Sequence, residues 1–170
     1  LLNDKFRLDK KFYFISGNEK TLMEKMRSKI IGGIKLDKNI QIKNIEMISG
    51  FVDEFGLFGN ENIYVVGDYK GITESSLNKI RNTQNNFIFF QENSQKIKKI
   101  KNIFGLDKDS YLIDCYELDR DSKIKILNNF INKNKLELSR EVYWYLIDRL
   151  DAKYIFFENC LIKILELDKQ

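Results

Sequence analysis

The sequence predicts an α/β fold: an open, parallel, five-stranded sheet with flanking helices, followed by a small all-helical domain. Three observations predict it. Four short apolar runs, Phe12–Ile15, Ile63–Val66, Phe87–Phe90 and Tyr111–Ile113, are aromatic or β-branched and are bounded by Gly, Asn, Asp or Ser. They are continuous rather than alternating, as strands buried on both faces are. Helical patterns separate these runs, and after residue 119 only helical patterns remain.

The first strand, Phe12–Ile15, leads into a helix with Leu22, Met23, Met26 and Ile30 on one face, for which Asn18 is a candidate cap. Alternation around Ile40-Gln41-Ile42 suggests an edge strand. Glu46 to Phe55 carries Met47, Ile48, Phe51, Val52 and Phe55 at helical spacing. After Ile63–Val66, Thr73 can cap a short helix through Leu77 and Ile80. After Phe87–Phe90, Ser94 can cap a helix that turns Ile97, Ile100, Ile103 and Phe104 inward. Beyond Asp119-Arg120-Asp121, one helix aligns Ile124, Leu127 and Ile131. A second, capped by Ser139, aligns Tyr143, Leu146, Ile147 and Leu150. A third, from about Tyr154, aligns Phe157, Cys160, Leu161, Ile164 and Leu165. The expected division is 1–120 for the α/β domain and 121–170 for the helical one.

Composition bounds the chemistry. The 170 residues suffice for one domain and part of another. With 43% hydrophobic and 32% charged residues, the chain has a globular balance. It contains no histidine, which removes every Ser-His, Cys-His and His-metal mechanism. Its two cysteines, Cys115 and Cys160, form neither a CxxC nor a disulfide framework, and two buried, reduced thiols are expected. A net charge of +4 permits an anionic partner without demanding one. No apolar run reaches the ~20 residues of a membrane helix, and charge at Asp4 and Lys5 spoils a signal peptide. A cytoplasmic location without membrane contact is expected. The chain starts without Met and stops inside a helical pattern, so a fragment of a longer protein is expected.

The first strand-to-helix turn is where such sheets bind phosphate. It reads Ser16-Gly17-Asn18-Glu19-Lys20-Thr21, with a single Gly and the wrong spacing for GxxxxGK[ST]. Glu19 puts a negative charge where a phosphate would sit, so a plain turn is the better reading. Asp68, after a hydrophobic strand, stands without a following Glu and reads as a surface turn. Asn93 reads as a loop residue before a helix. The acidic pairs Asp53/Glu54, Asp107/Asp109 and Asp119/Asp121 have no visible partner ligands and read as solvated charge. Lys96, Lys98, Lys99 and Lys101 either follow a phosphate backbone or form the wet face of an amphipathic helix. In Tyr143-Trp144-Tyr145, Tyr143 belongs to a core stripe, and the other two read as packing against the neighbouring domain rather than stacking bases. In Gly56-Leu57-Phe58-Gly59, two large apolar residues lie between glycines. They either protrude as anchors for a partner's pocket or fold back onto the sheet.

Several segments together resemble the delta subunit of the bacterial DNA polymerase III clamp loader. Phe12–Asn18 with Glu19 looks like that family's opening strand and GxE turn. Gly56-Leu57-Phe58 before Asn62–Val66 looks like its SLF element and following strand. Asn86–Phe90 with Glu92-Asn93, then a Lys-rich helix, looks like its fourth strand. Ile113–Glu117 looks like the end of its fifth, and Leu138-Ser139-Arg140 onward looks like its helical second domain. The resemblance implies an AAA+-like first domain with a helical lid, no ATPase activity and no cofactor. It implies a non-catalytic part of the polymerase III holoenzyme that binds and opens the sliding clamp (the beta subunit) through Leu57 and Phe58. It also implies delta-prime and gamma or tau subunits as partners, and a third, collar domain beyond this chain. Gly56 stands where the family usually has Ser, and Asp53 where some members have Gln. An active P-loop NTPase is the alternative the missing GK[ST] argues against. A stand-alone nucleic-acid-binding domain, with the lysine cluster as its DNA contact, is the other.

Overall fold

The computed structural model describes residues 8–35, 40–48, 61–68, 70–92 and 97–168. The chain divides into two compact units, one of Arg7–Cys115 and one built from Tyr116 onward. The first is an α/β unit. Its elements run β1 (Phe12–Gly17), α1 (Lys20–Lys35), β2 (Gln41–Ile45), β3 (Asn62–Val66), α2 (Glu74–Arg81), β4 (Asn86–Glu92), α3 (Ile97–Leu106) and β5 (Ser110–Cys115). The strands form one sheet in the order β2-β3-β4-β1-β5, and every pairing is parallel. β2 lies at an edge, as its alternating sequence predicts, while every residue of β1 and β3 is buried.

Alternate strand residues point to opposite faces. Phe12, Phe14, Tyr64, Phe87 and Phe89 pack with Leu77 and Ile80 of α2 and Ile97, Ile100 and Phe104 of α3. Rings supply much of this layer: Phe14 stacks on Phe104 at 4.8 Å between centroids, and Tyr64 on Phe87 at 5.4 Å. Met23, Met26 and Ile30 give α1 its buried stripe. Thr73 caps α2 in a capping box with Ser76. The acceptor at the start of α1 is the Glu19 carboxylate rather than Asn18: Leu22 N–H donates to Glu19 Oε2 at 2.8 Å. The helix expected at Glu46 to Phe55 falls mostly outside the described residues, as do Asp53, Glu54, Asn93 and the expected cap Ser94.

The second unit holds three helices, α4 (Arg120–Asn134), α5 (Arg140–Arg149) and α6 (Tyr154–Asp168). Asp119 caps α4 by accepting from Ser122 N–H at 2.8 Å, and Ser139 caps α5. The core comprises Leu127, Ile147, Leu150, Tyr154, Phe157 and Leu161. Leu118 N–H donates to the Ala152 carbonyl at 2.7 Å, tying the segment before α4 to the turn before α6. Cys160 is exposed, contrary to the two buried thiols expected, because it lies one position off the stripe of Phe157 and Leu161. Among the described residues no helix is long and apolar enough to cross a membrane.

Candidate functional site

The carboxyl ends of β1 and β5 and the N-terminus of α1 form the position where a doubly wound sheet takes a phosphate. Here that position is filled by the chain itself. Gly17 ends β1 against Cys115 so closely that a Cβ would lie 1.7 Å from the Cys115 carbonyl oxygen. That carbonyl accepts from the backbone N–H groups of both Asn18 and Glu19, each at 3.1 Å. The Glu19 carboxylate takes the Leu22 N–H, and Glu19 is only 7% exposed. Three of the turn's amide donors, those of Asn18, Glu19 and Leu22, are thus satisfied, and a buried carboxylate stands among them.

The surroundings are equally self-paired. Lys20 pairs with Glu92 at 2.7 Å. Lys101 pairs with Asp114 at 2.6 Å, and Ser16 Oγ donates weakly to the same carboxylate at 3.4 Å. Burial, reinforced by the Asp114 and Glu19 charges against Lys101, pushes the Cys115 thiol up to about 12. It is therefore a protonated core group at neutral pH and no nucleophile. Among the described residues no group of three acidic or thiol side chains is placed to hold a metal ion.

Asp68 sits in a turn that accepts the Lys70 N–H at 2.9 Å, as the surface reading holds. Asp107 corrects the expectation of solvated charge. It is largely buried, pairs with Arg81 at 2.9 Å, and accepts from Ser110 Oγ at 2.7 Å and Asp109 N–H at 3.2 Å. Arg81 also bonds Asp109. Burial raises the Asp107 carboxyl, and the hydrogen bonds from Arg81, Ser110 and Asp109 outweigh it, leaving the group below its ordinary value. Asp119 is likewise held low by its bonds from Ser122.

Leu57, Phe58 and Lys96 lie outside the described residues. Lys98 and Lys99 are exposed on α3, and Lys101 is paired with Asp114. Trp144 and Tyr145 are both exposed on α5.

No family model matches the chain, and no curated protein matches it. Solved structures do. The DNA clamp loader delta protein of Bacillus subtilis is similar over 91% of this chain and 53% of its own, with a TM-score of 0.55 and 13% identity. Domain III of the Thermotoga maritima replication initiation protein DnaA is similar over 97% of this chain and 79% of its own, with a TM-score of 0.47 and 13% identity. The chain thus spans about half the length of the Bacillus protein. At this identity the likeness to the Bacillus protein shows the fold alone.

Proposed function

We propose that this chain is a non-catalytic clamp-loader module of the delta type, which grips the ring-shaped sliding clamp and helps to open it. The observation that carries the reading is the self-filled phosphate position. An AAA+-like sheet whose strand-end amides are bonded to the Cys115 carbonyl, and whose first helix is capped by the Glu19 carboxylate, is suited to being driven by its neighbours rather than by its own nucleotide. The fold shared with a clamp loader delta protein supports the same reading. Leu57 and Phe58 would be the anchors in the clamp's pocket, because two apolar side chains between Gly56 and Gly59 can present themselves at little steric cost. Residues 116–170 would act as the lid, with delta-prime and gamma or tau subunits as the other partners. Lys98 and Lys99, with Lys96 beside them in sequence, would be the residues of the basic cluster left to meet DNA.

Calorimetry tests the nucleotide half. Mg-ATP at millimolar concentration is expected to give no saturable heat, and the cognate clamp is expected to bind equally with and without ATP. Saturable micromolar ATP binding, or clamp binding that requires ATP, would overturn the reading.

A further inference from the structure

The helical unit carries an aromatic and cationic surface that its core does not use. Only six of the chain's 29 basic residues are arginine, and three of these lie in the helical unit: Arg120 on α4, and Arg140 and Arg149 at the two ends of α5, the helix that carries the single tryptophan. The Arg120 guanidinium lies 5.4 Å from the Trp144 ring centroid, and the Arg149 guanidinium 5.8 Å from that of Tyr145. Trp144 is 39% exposed and Tyr145 63%. Tyr143 packs edge-on against the indole at 5.1 Å, and its hydroxyl donates to Asn128 Oδ1 at 2.9 Å, so the platform is held from behind. Buried Ile147 fixes α5 to the core.

Charge and shape together select the occupant. Planar guanidiniums beside exposed rings offer flat faces for stacking and fork-shaped donors for phosphate oxygens. Two carboxylates, Glu141 and Asp148, share the helix. Asp148 meets Arg120 at 3.4 Å with both side chains over 60% exposed, a pairing that a phosphate can displace. Arg140 and Arg149 are in no ion pair among the described residues. A protein anchor pocket closing on these rings would have to desolvate the guanidiniums beside them, whereas a phosphate backbone pairs with them. Only single strands leave the base faces free to stack.

We propose that Arg120, Arg140, Trp144, Tyr145 and Arg149 form a contact surface for single-stranded nucleic acid, with bases on the two rings and phosphates on the guanidiniums. The surface goes beyond clamp binding and does not depend on it.

Trp144 is the chain's single tryptophan, so its emission reports on this site alone. The full chain is titrated with an oligothymidylate of about 12 nucleotides, within the span of common single-strand sites. Saturable quenching is expected, with a log–log salt slope of about −2 for three phosphates. Tyr145→Ala should weaken binding about 5- to 100-fold, the range for losing one stacked base. The pair Arg140→Gln/Arg149→Gln should reduce both affinity and salt slope, and Lys79→Gln/Lys108→Gln, exposed on the other unit, should leave both unchanged. These side chains are exposed, and a thermal melt checks that each variant is folded. Unchanged emission at saturating oligothymidylate would overturn the proposal. So would equal binding by the arginine and tyrosine variants, or tighter binding of a duplex of the same length. Loss of clamp binding in the arginine variant, with no oligothymidylate bound by the parent chain, would assign the face to a protein instead.

Discussion

Replacing Glu19 tests whether the chain stoppers its own phosphate position. Glu19→Ala removes the acceptor of the Leu22 N–H at the start of a 16-residue helix. Losing a helix cap costs about 1 kcal/mol, within roughly 0.5–2. The carboxylate also sits at the positive end of α1, where a partly buried charge contributes up to about 2 kcal/mol. Together the expected loss is about 2 kcal/mol, a fall in Tm of about 4–8 °C for a chain of this size. Glu19→Gln keeps an acceptor oxygen and loses the charge, so about half that fall is expected. Thermal and urea melts at pH 7 measure both. The same variants are then titrated with Mg-ATP. Neither should bind it, because the Asn18 and Glu19 amides remain bonded to the Cys115 carbonyl. A Glu19→Ala protein as stable as the parent would refute the capping argument, and one that bound ATP at micromolar concentration would refute the engagement of the amides.

Gly17→Ala should destabilise the sheet by about 3 kcal/mol or more, seen as a lower urea midpoint, since the new methyl would meet backbone that has nowhere to move. A thiol reagent should modify one cysteine rapidly, Cys160, and the second, Cys115, only on unfolding; mass spectrometry of the native and denatured protein counts the adducts. Asp107 has a lowered carboxyl pKa in the folded chain, so its stabilisation is complete above the unfolded value of about 4 and fades as pH falls below it. Urea midpoints between pH 6 and pH 2.5 should therefore drop less steeply in Asp107→Asn than in the parent, and Arg81→Gln should cost about 1–2 kcal/mol at pH 7.

Elements whose residues announce their own surroundings were legible in the sequence. The continuous runs at Phe12 and Phe87 become central strands because side chains apolar on both faces need cover on both. Thr73 and Ser139 cap helices through contacts three residues away, which local sequence encodes, whereas Asp119, which caps α4 in the same way, reads in the sequence as solvated charge. What escaped depends on groups distant in sequence or lacking a side-chain signature. A backbone carbonyl at Cys115 closes the first turn across nearly a hundred residues, and no residue type marks it. Arg81 reaches Asp107 and Asp109 through the fold alone, so a largely buried, ion-paired Asp107 looks like solvated charge in the sequence. The sequence marks Glu19 by its charge, but the stronger cap preference of Asn18 hides its capping bond. Cys160 sits beside the core stripe of α6, and a shift of one residue turned a thiol expected inside to the outside.

Equilibrium binding to the cognate sliding clamp decides whether the proposed clamp contact forms without nucleotide. The parent chain should bind without nucleotide. In Leu57→Ala/Phe58→Ala two anchors are lost, each contributing about 1.5–3 kcal/mol when buried. Affinity should therefore fall about 10²-fold or more, while a parallel melt shows Tm almost unchanged. Undiminished clamp binding by the double variant would contradict the account. So would a fall in Tm that reflects the several kcal/mol of stability lost with two core side chains.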